Sequence, residues 1–506
     1  MSRTLAAVLA LFPTVVLAQE PREQDLVRFE KQLKAATADA GPAIACVVVS
    51  RSDKYPKPER TPEPWQLGDF HRADFLKANP NLKALAARLD LSDPETIPDH
   101  GFAGGVVIDP AGLVLTHYHT IEGATKIYVH LARGTGSYAD LRAADARSDL
   151  AVLKLLQPPA GLKAIKFGKV RLPEDGKATV ATGTLGLMMA FPYTSGVALD
   201  RPKAGLATVS SIRHPQAPKE DHRFDRTLPR SVYNYAPILD VESRIQPGAS
   251  GAVLLNLDGE TIGFTSTMAA IAGADESHAF AMPADENFTR IVEVLRRGEE
   301  VQYGFLGVSE PRFQQTFRGM PVESVPTRGS PADLAGLRPG DLILRINERP
   351  VNSFQDLLLL VGHGLAGQPI TISYQRGQQT IEKTVNLAKF KNDMPFIASV
   401  KPEPVFGVRV DYSSVIIPLI VNPFAGRNVP YVADGVALRE VIADSPAAAK
   451  FPNFGENNRI IISHVDGVAV RTPAEFYSEA KGKKSVTLKV AEATDRFSQV
   501  KEVTLP

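Results

Sequence analysis

Between Gly101 and about Phe264 the chain consists of short apolar runs cut apart by Gly, Pro and Asp: GGVVIDPAGLVLT, TKIYVHLA, DLAVLKLL, KATVATGTL, AGLATVSSI, GAVLLN and TIGFTST. Many short strands with turn punctuation predict a β-barrel or sandwich rather than alternating βαβ units. Residues 284–297, ADENFTRIVEVLRR, have amphipathic spacing and predict a helix that closes this unit. The chain is 506 residues long, more than one hydrophobic core usually serves, so about three domains are expected.

Two further units follow and resemble each other. Residues 304–389 contain GFLGV, GSPADLAGLRPGDLILRINERPV and the apolar helix SFQDLLLLVG; residues 406–506 contain FGVRV, DSPAAAKFPNFGENNRIIISHVDGVAV and TPAEFYSEA. The shared order of strand, Ser-Pro-Ala turn with helix, strand, hairpin and helix predicts a duplicated domain, with KNDMPFIASVKPEP as linker. Upstream, residues 22–40 have helical spacing, with Leu26, Phe29, Leu33 and Ala36 on one face and Gly41-Pro42 as the stop. Residues 53–100 form a long proline-bearing insert with a helix expected near Leu82 to Leu91; an insert of that length is usually functional or mobile.

Composition removes several classes. Apolar content of 44% and charged content of 22% are those of ordinary globular protein, and a net charge of +1 gives no reason to expect nucleic acid. There is no phosphate-binding glycine loop, no zinc-spaced Cys/His cluster and no basic run. The first residues read as a secretory signal: Arg3, the apolar run Leu5 to Leu17, and Val16-Leu17-Ala18 as a small-residue cleavage site. That run is short for a membrane span. Cys46 is the single cysteine, so no internal disulfide is expected; its setting in AIACVVVS makes it core filler.

The chemistry-bearing residues sit at strand edges. Ser250, in IQPGASGAVLLNLDGETIGF, is either a nucleophile or a small residue in a tight turn, since Gly-Ala-Ser-Gly suits any β turn. A serine hydroxyl needs a base, and the base needs an orienting group. His119 follows an apolar strand in GLVLTHYHTIEGA, where a rigid element could aim it into a cleft; a structural histidine is the alternative. Asp149, in ARSDLAVLKL, could hold an imidazole or simply cap its strand. His117 and His119 together form a His-x-His pair, but no motif supplies the further ligands that zinc needs.

In order and spacing, GGVVIDPAGLVLTHYHTIEGA, SDLAVLKL and IQPGASGAVLLNLDGETIGF resemble the trypsin-like proteases of the HtrA/DegP family. YGFLGV with the glycine-rich stretch after it resembles a PDZ domain, and the last hundred or so residues a more divergent one. The resemblance implies a mainly β chain: a two-barrel trypsin-like protease domain followed by two PDZ-like α+β domains. The expected limits are a signal peptide at 1–18, then N-terminal helix, first strand and insert at 19–100. The protease domain follows at 101–300 with strand 42–50, PDZ domain 1 at 301–390 and PDZ-like domain 2 at 400–506. The resemblance also implies His119 as general base, Asp149 as its orienter and Ser250 as nucleophile. The backbone N–H groups of Gly248 and Ser250 would form the oxyanion hole, and those of Gly304, Phe305 and Leu306 would hold a peptide carboxylate. In the second PDZ-like unit Gly407 and Val408 keep part of that pattern.

The sequence departs from the family at Ala249, Ala252 and Val253 around the serine, at His117-Tyr118 where the family has Asn-Asn, and in GTLGLMMAFPYTSG. These departures bear on rate and activation more than on reaction type. The implied activity is ATP-independent serine endopeptidase action on unfolded or misfolded protein in the periplasm or beyond, without cofactor or metal. The implied partners are unfolded polypeptides, C-terminal peptides at the PDZ units and other copies of the chain in trimers or multiples of them; peripheral membrane association is left open. The alternative is a catalytically weak or inactive PDZ-bearing chaperone or scaffold.

Overall fold

The computed structural model describes residues 23–51, 102–173, 177–191, 201–213, 236–243, 250–266, 279–309, 318–324, 326–362, 364–392, 394–416, 419–422, 427–452, 454, 459–492 and 500–506. The expected signal peptide, the insert with its Leu82–Leu91 helix, and Gly248 and Ala249 lie outside the described residues. Among the described residues, no helix is long and apolar enough to cross a membrane.

Helix α1 (Glu23–Ala40) leads into β1 (Ile44–Ser50), every residue of which is buried, Cys46 included. Ala36 and Ala40 are buried on the helix's inner face, but Leu26 is 58% exposed, so the expected apolar face reaches the protein only in its C-terminal turns. Then come β2 (Phe102–Asp109), β3 (Leu113–His117), the single turn α2 (Tyr118–Ile121), β4 (Lys126–Leu131), β5 (Thr135–Asp145) and β6 (Leu150–Leu155). These strands pair in the order β5-β4-β1-β2-β3-β6, and a β5–β6 pairing closes the first barrel. β5, eleven residues long and bulged between Leu141 and Ala143, pairs with β4 over Thr135–Tyr138 and with β6 over Ala139–Asp145.

The second barrel comprises β7 (Leu185–Ala190), β8 (Lys203–Arg213), β9 (Ile238–Ser243), β10 (Val253–Leu255), β11 (Thr261–Thr265) and β12 (Ala279–Pro283), closed in the order β10-β11-β12-β9-β8-β7. The expectation of a strand in KATVATGTL is corrected: residues 177–184 are turns and irregular chain, and the strand starts at Leu185. The run's Gly183 adopts φ +88 in a turn, and Thr184 Oγ1 accepts from Ala181 N, so local side-chain chemistry outweighs strand propensity there. One continuous core fills both barrels. Helix α3 (Glu286–Arg297) is capped by Asp285, which accepts from Phe288 N, and ends at Gly298 with φ +84.

The next unit holds β13 (Gly304–Phe305), β14 (Met320–Pro321), α4 (Pro331–Leu334), β15 (Leu342–Ile346), β16 (Arg349–Pro350), α5 (Phe354–Gly362), β17 (Pro369–Arg376), β18 (Gln379–Asn386) and β19 (Ala388–Lys389), around a core of its own. The expected linker is more than a tether: it contains β20 (Phe396–Ala398), which adds to the first barrel by pairing with β5. The last unit holds β21 (Val408–Tyr412), β22 (Leu419–Asn422), β23 (Arg427–Pro430), β24 (Val436–Val441), α6 (Pro446–Lys450), β25 (Ile460–Val465), β26 (Val468–Ala469), α7 (Pro473–Ala480), β27 (Val486–Glu492) and β28 (Lys501–Leu505). It too has its own core.

The units are joined by buried polar contacts. Lys389 Nζ lies 2.6 Å from Glu300 and 2.7 Å from Asp411, and Arg439 reaches the same two carboxylates at 2.6 and 2.8 Å. Tyr303, at the start of the second unit, donates its hydroxyl to Asp145 Oδ2 at 2.5 Å, and Arg147 stacks over the rings of Tyr303 and Phe390.

The barrels meet at two glycines. Gly104 N donates to Ser250 O at 2.6 Å, and a Cβ on Gly104 would stand 2.5 Å from the Gly251 carbonyl oxygen. Gly104→Ala is therefore expected to cost about 1–3 kcal/mol, the range for forcing atoms into a packed interior. Urea unfolding of the variant beside the wild type checks this; equal midpoints would mean that the two backbones part without cost.

Candidate active site

Each expected residue leaves a strand end facing the junction of the barrels. β3 runs straight into α2, which carries His119 one residue into a helical turn. Asp149 lies in the turn between β5 and β6 at φ +55, a left-handed conformation that Asp tolerates better than most residues. Ser250 directly precedes Gly251, whose φ of +85 favours glycine and whose added Cβ would strike the Gly104 carbonyl. Thus a glycine after Ser250 is demanded twice, by backbone angle and by space.

The structure brings these three side chains together across both barrels. His119 Nδ1 lies 2.7 Å from Asp149 Oδ2, and His119 Nε2 lies 3.1 Å from Ser250 Oγ. Asp149 Oδ1 also accepts from the His119 backbone N–H at 2.9 Å, so the carboxylate holds both the ring and the main chain of the histidine. Ser250 and Asp149 are buried; the His119 side chain keeps 25% of its exposure, which leaves an approach to the ring. Arg51 donates to the carbonyls of His119, Thr120 and Glu122, satisfying the end of the short helix.

Burial by itself would raise the Asp149 carboxyl. The hydrogen bonds from His117 and His119 outweigh it and hold the group well below the usual carboxylate range. A carboxylate that stays ionised fixes one imidazole tautomer, presents the other ring nitrogen to the serine hydroxyl, and stabilises an imidazolium. The arrangement is therefore chemically able to take a proton from Ser250 and return it to a leaving group.

In the sequence His117 stands out as half of a His-x-His pair and as part of the departure from the family's Asn-Asn. It is fully buried, with Nδ1 3.0 Å from the Asp149 backbone oxygen and Nε2 2.7 Å from the Thr265 backbone oxygen. Ligand atoms of His117, His119 and Asp149 do fall within 4.8 Å of one another. Both rings, however, direct both nitrogens at protein oxygens, which is not the geometry of imidazoles sharing an ion. A histidine closing an otherwise apolar strand was the signal for this role, but its partners come from remote segments. Of the expected oxyanion pair the structure places Ser250, while Gly248 lies outside the described residues.

At the expected carboxylate loop, Gly304 N donates to Gly364 O at 2.7 Å, and Phe305 pairs with Ala388 in the β13–β19 ladder. Leu306 O accepts from Ala332 N, fastening the loop to α4.

The family model for the trypsin-like peptidase domain matches residues 103–264, and that for the PDZ domain matches residues 304–387. The chain is 30% identical over 383 residues to the "Probable periplasmic serine endoprotease DegP-like" of Halomonas elongata, covering 74% of this chain and 72% of that protein. It is 28% identical over 395 residues to the periplasmic serine endoprotease DegP of Escherichia coli, covering 76% and 72%. A solved structure titled "HtrA-type protease AlgW with decapeptide" aligns with 71% of this chain and 98% of its own, at 21% identity and a TM-score of 0.45.

Asp149 contributes stability that is fully present above its ordinary value of 3.8 and is lost as pH falls toward its depressed folded value. Asp149→Asn is thus expected to lower kcat by about 10⁴-fold, as loss of the orienting carboxylate does in such an arrangement. The stability gap between wild type and this variant should shrink between about pH 7 and pH 3. Urea midpoints at the two pH values test this, and a gap that widens in acid would overturn the assignment.

Proposed function

As this chain belongs to the family of DegP-like periplasmic serine endoproteases, we propose that it cleaves unfolded or misfolded polypeptide in the periplasm through Ser250, His119 and Asp149. The observation that carries the reading is the unbroken contact from Asp149 through His119 to the Ser250 hydroxyl, at 2.7 and 3.1 Å. Ser250 Oγ attacks the scissile carbonyl carbon while His119 Nε2 takes its proton. The resulting imidazolium, held by ionised Asp149, gives that proton to the leaving amine. Water, deprotonated in turn by His119, then releases the acyl group and restores the serine. The N–H groups of Ser250 and Gly248 stabilise the oxyanion; one such donor is worth about 2.7–4 kcal/mol in the transition state.

The PDZ units supply peptide binding and regulation in this reading. An extended C-terminal peptide adds as a strand, with its carboxylate on backbone N–H groups of the loop that starts at Tyr303. Since Gly304 N–H is already bonded to Gly364 O and Phe305 is paired with Ala388 in the β13–β19 ladder, Leu306 is the candidate donor left of the three. Regulation has a physical route: Tyr303 heads that loop and bonds Asp145, and the same turn, four residues on, carries Asp149. Domain limits at residues 101–300, 301–390 and 400–506, and assembly into trimers or their multiples, belong to the same proposal.

Digestion of reduced casein by the mature chain and by Ser250→Ala, each with and without a hydrophobic C-terminal peptide, tests it. Cleavage is expected from the wild type alone and to rise with peptide. Equal, negligible cleavage by both folded proteins would replace the protease reading with that of a client-holding chaperone.

A further inference from the structure

We propose that His117 is a positioning residue held as a buried imidazolium, a cationic strut that sets the distance between the Asp149 turn of the first barrel and the Ser250 turn of the second. The inference deepens the triad reading above and rests on it.

A neutral imidazole has one N–H donor and one lone pair, whereas the protonated ring has two donors. Both nitrogens of His117 face backbone carbonyl oxygens, Asp149 O at 3.0 Å and Thr265 O at 2.7 Å, and a carbonyl oxygen can only accept. A neutral ring would set its lone pair against one of these oxygens at hydrogen-bonding distance inside a fully buried site. The doubly protonated ring satisfies both. Its buried charge needs compensation, and the Asp149 carboxylate supplies it with Oδ2 3.3 Å from His117 Nδ1. The titratable groups facing the ring are Asp149 and His119, the latter stacked at 5.1 Å between centroids; Phe264 stacks at 4.7 Å.

The two carbonyls explain what the strut positions. Thr265 O also accepts from Gly251 N at 2.8 Å, and Thr265 N donates to Ala252 O at 2.8 Å, so Thr265 is bonded to the two residues after Ser250. Asp149 O also accepts from Tyr118 N at 3.0 Å, beside His119. His117 therefore ties the backbone carrying the orienting acid and base to the backbone carrying the nucleophile. A shift of about 1 Å between such groups can cost about 10²-fold in rate.

The test combines protonation state with kinetics. In uniformly ¹⁵N-histidine-labelled Ser250→Ala protein, His117 is identified by NOEs to the Phe264 ring. Both of its nitrogens are expected to carry protons at neutral pH; a single unprotonated nitrogen there overturns the proposal, and this measurement needs no His117 variant. In the active enzyme, His117→Gln and His117→Asn are expected to lower kcat on an unfolded peptide substrate by about 10²-fold, with KM near the wild-type value. A folded variant with wild-type kcat overturns the positioning role and leaves the triad standing. Cleavage that survives in Ser250→Ala would instead overturn the triad reading itself.

Discussion

Gly104 on β2 and Gly251 beside β10 bring the two barrels into backbone contact, close enough that a Cβ on either would overlap the other's main chain. The Gly104 N–H bonds Ser250 O, Thr116 Oγ1 bonds Gly104 O, and His117 one residue later reaches Thr265 in the second barrel. The 3.1 Å separation of His119 and Ser250 depends on this seam, because the two residues share no strand and no local turn. A gap opened by one methyl group would be felt where a proton has to cross about 3 Å. Side-chain packing alone leaves more latitude than two main chains in contact.

The same economy appears in the paired C-terminal units. Gly307 at φ +93 lies against Ser330, and Gly407 at φ +85 lies against Ser445; each serine caps the helix that follows it. Leu306 O accepts from Ala332 N, and Phe406 O accepts from Ala447 N, so loop and helix are locked alike in both. The units are fastened to the barrels and to each other. β20 extends the first barrel, Val432 N bonds Arg328 O between the two units, and the Glu300–Lys389–Asp411–Arg439 cluster is drawn from residues on three sides. Lys389 and Asp411 are buried in this cluster, so removing one partner would leave an uncompensated buried charge.

The parts of the fold readable in advance were those with a local physical signature. The all-buried β1 showed as a continuous apolar run, and α3 as an amphipathic stretch with an Asp cap and a Gly stop. β5 and β9 were missed because TGSYADLRAAD and ILDVES carry Asp, Ser and Glu that gain their places from neighbouring strands rather than from alternation. β20 was read as linker, since its three residues become a strand only beside the free edge of β5. KATVATGTL erred the other way, being apolar enough for a strand but folded by its own turn bonds.

At the candidate site the residue types were visible one by one, for a serine in a small-residue turn, a histidine past a strand and an aspartate at a strand edge are all local facts. The sequence by itself determined which chemistry the chain can carry, the β character of its barrels, and the glycines that let main chains approach. Only the tertiary structure decided that Ser250, separated from His119 by 131 residues, stands at its ring nitrogen. It also decided that His117, two residues before His119, is buried between the barrels with both ring nitrogens on backbone carbonyls. The reason is physical: hydrogen-bond partners across a domain seam are set by how two closed barrels dock, and no periodicity within either barrel encodes that distance.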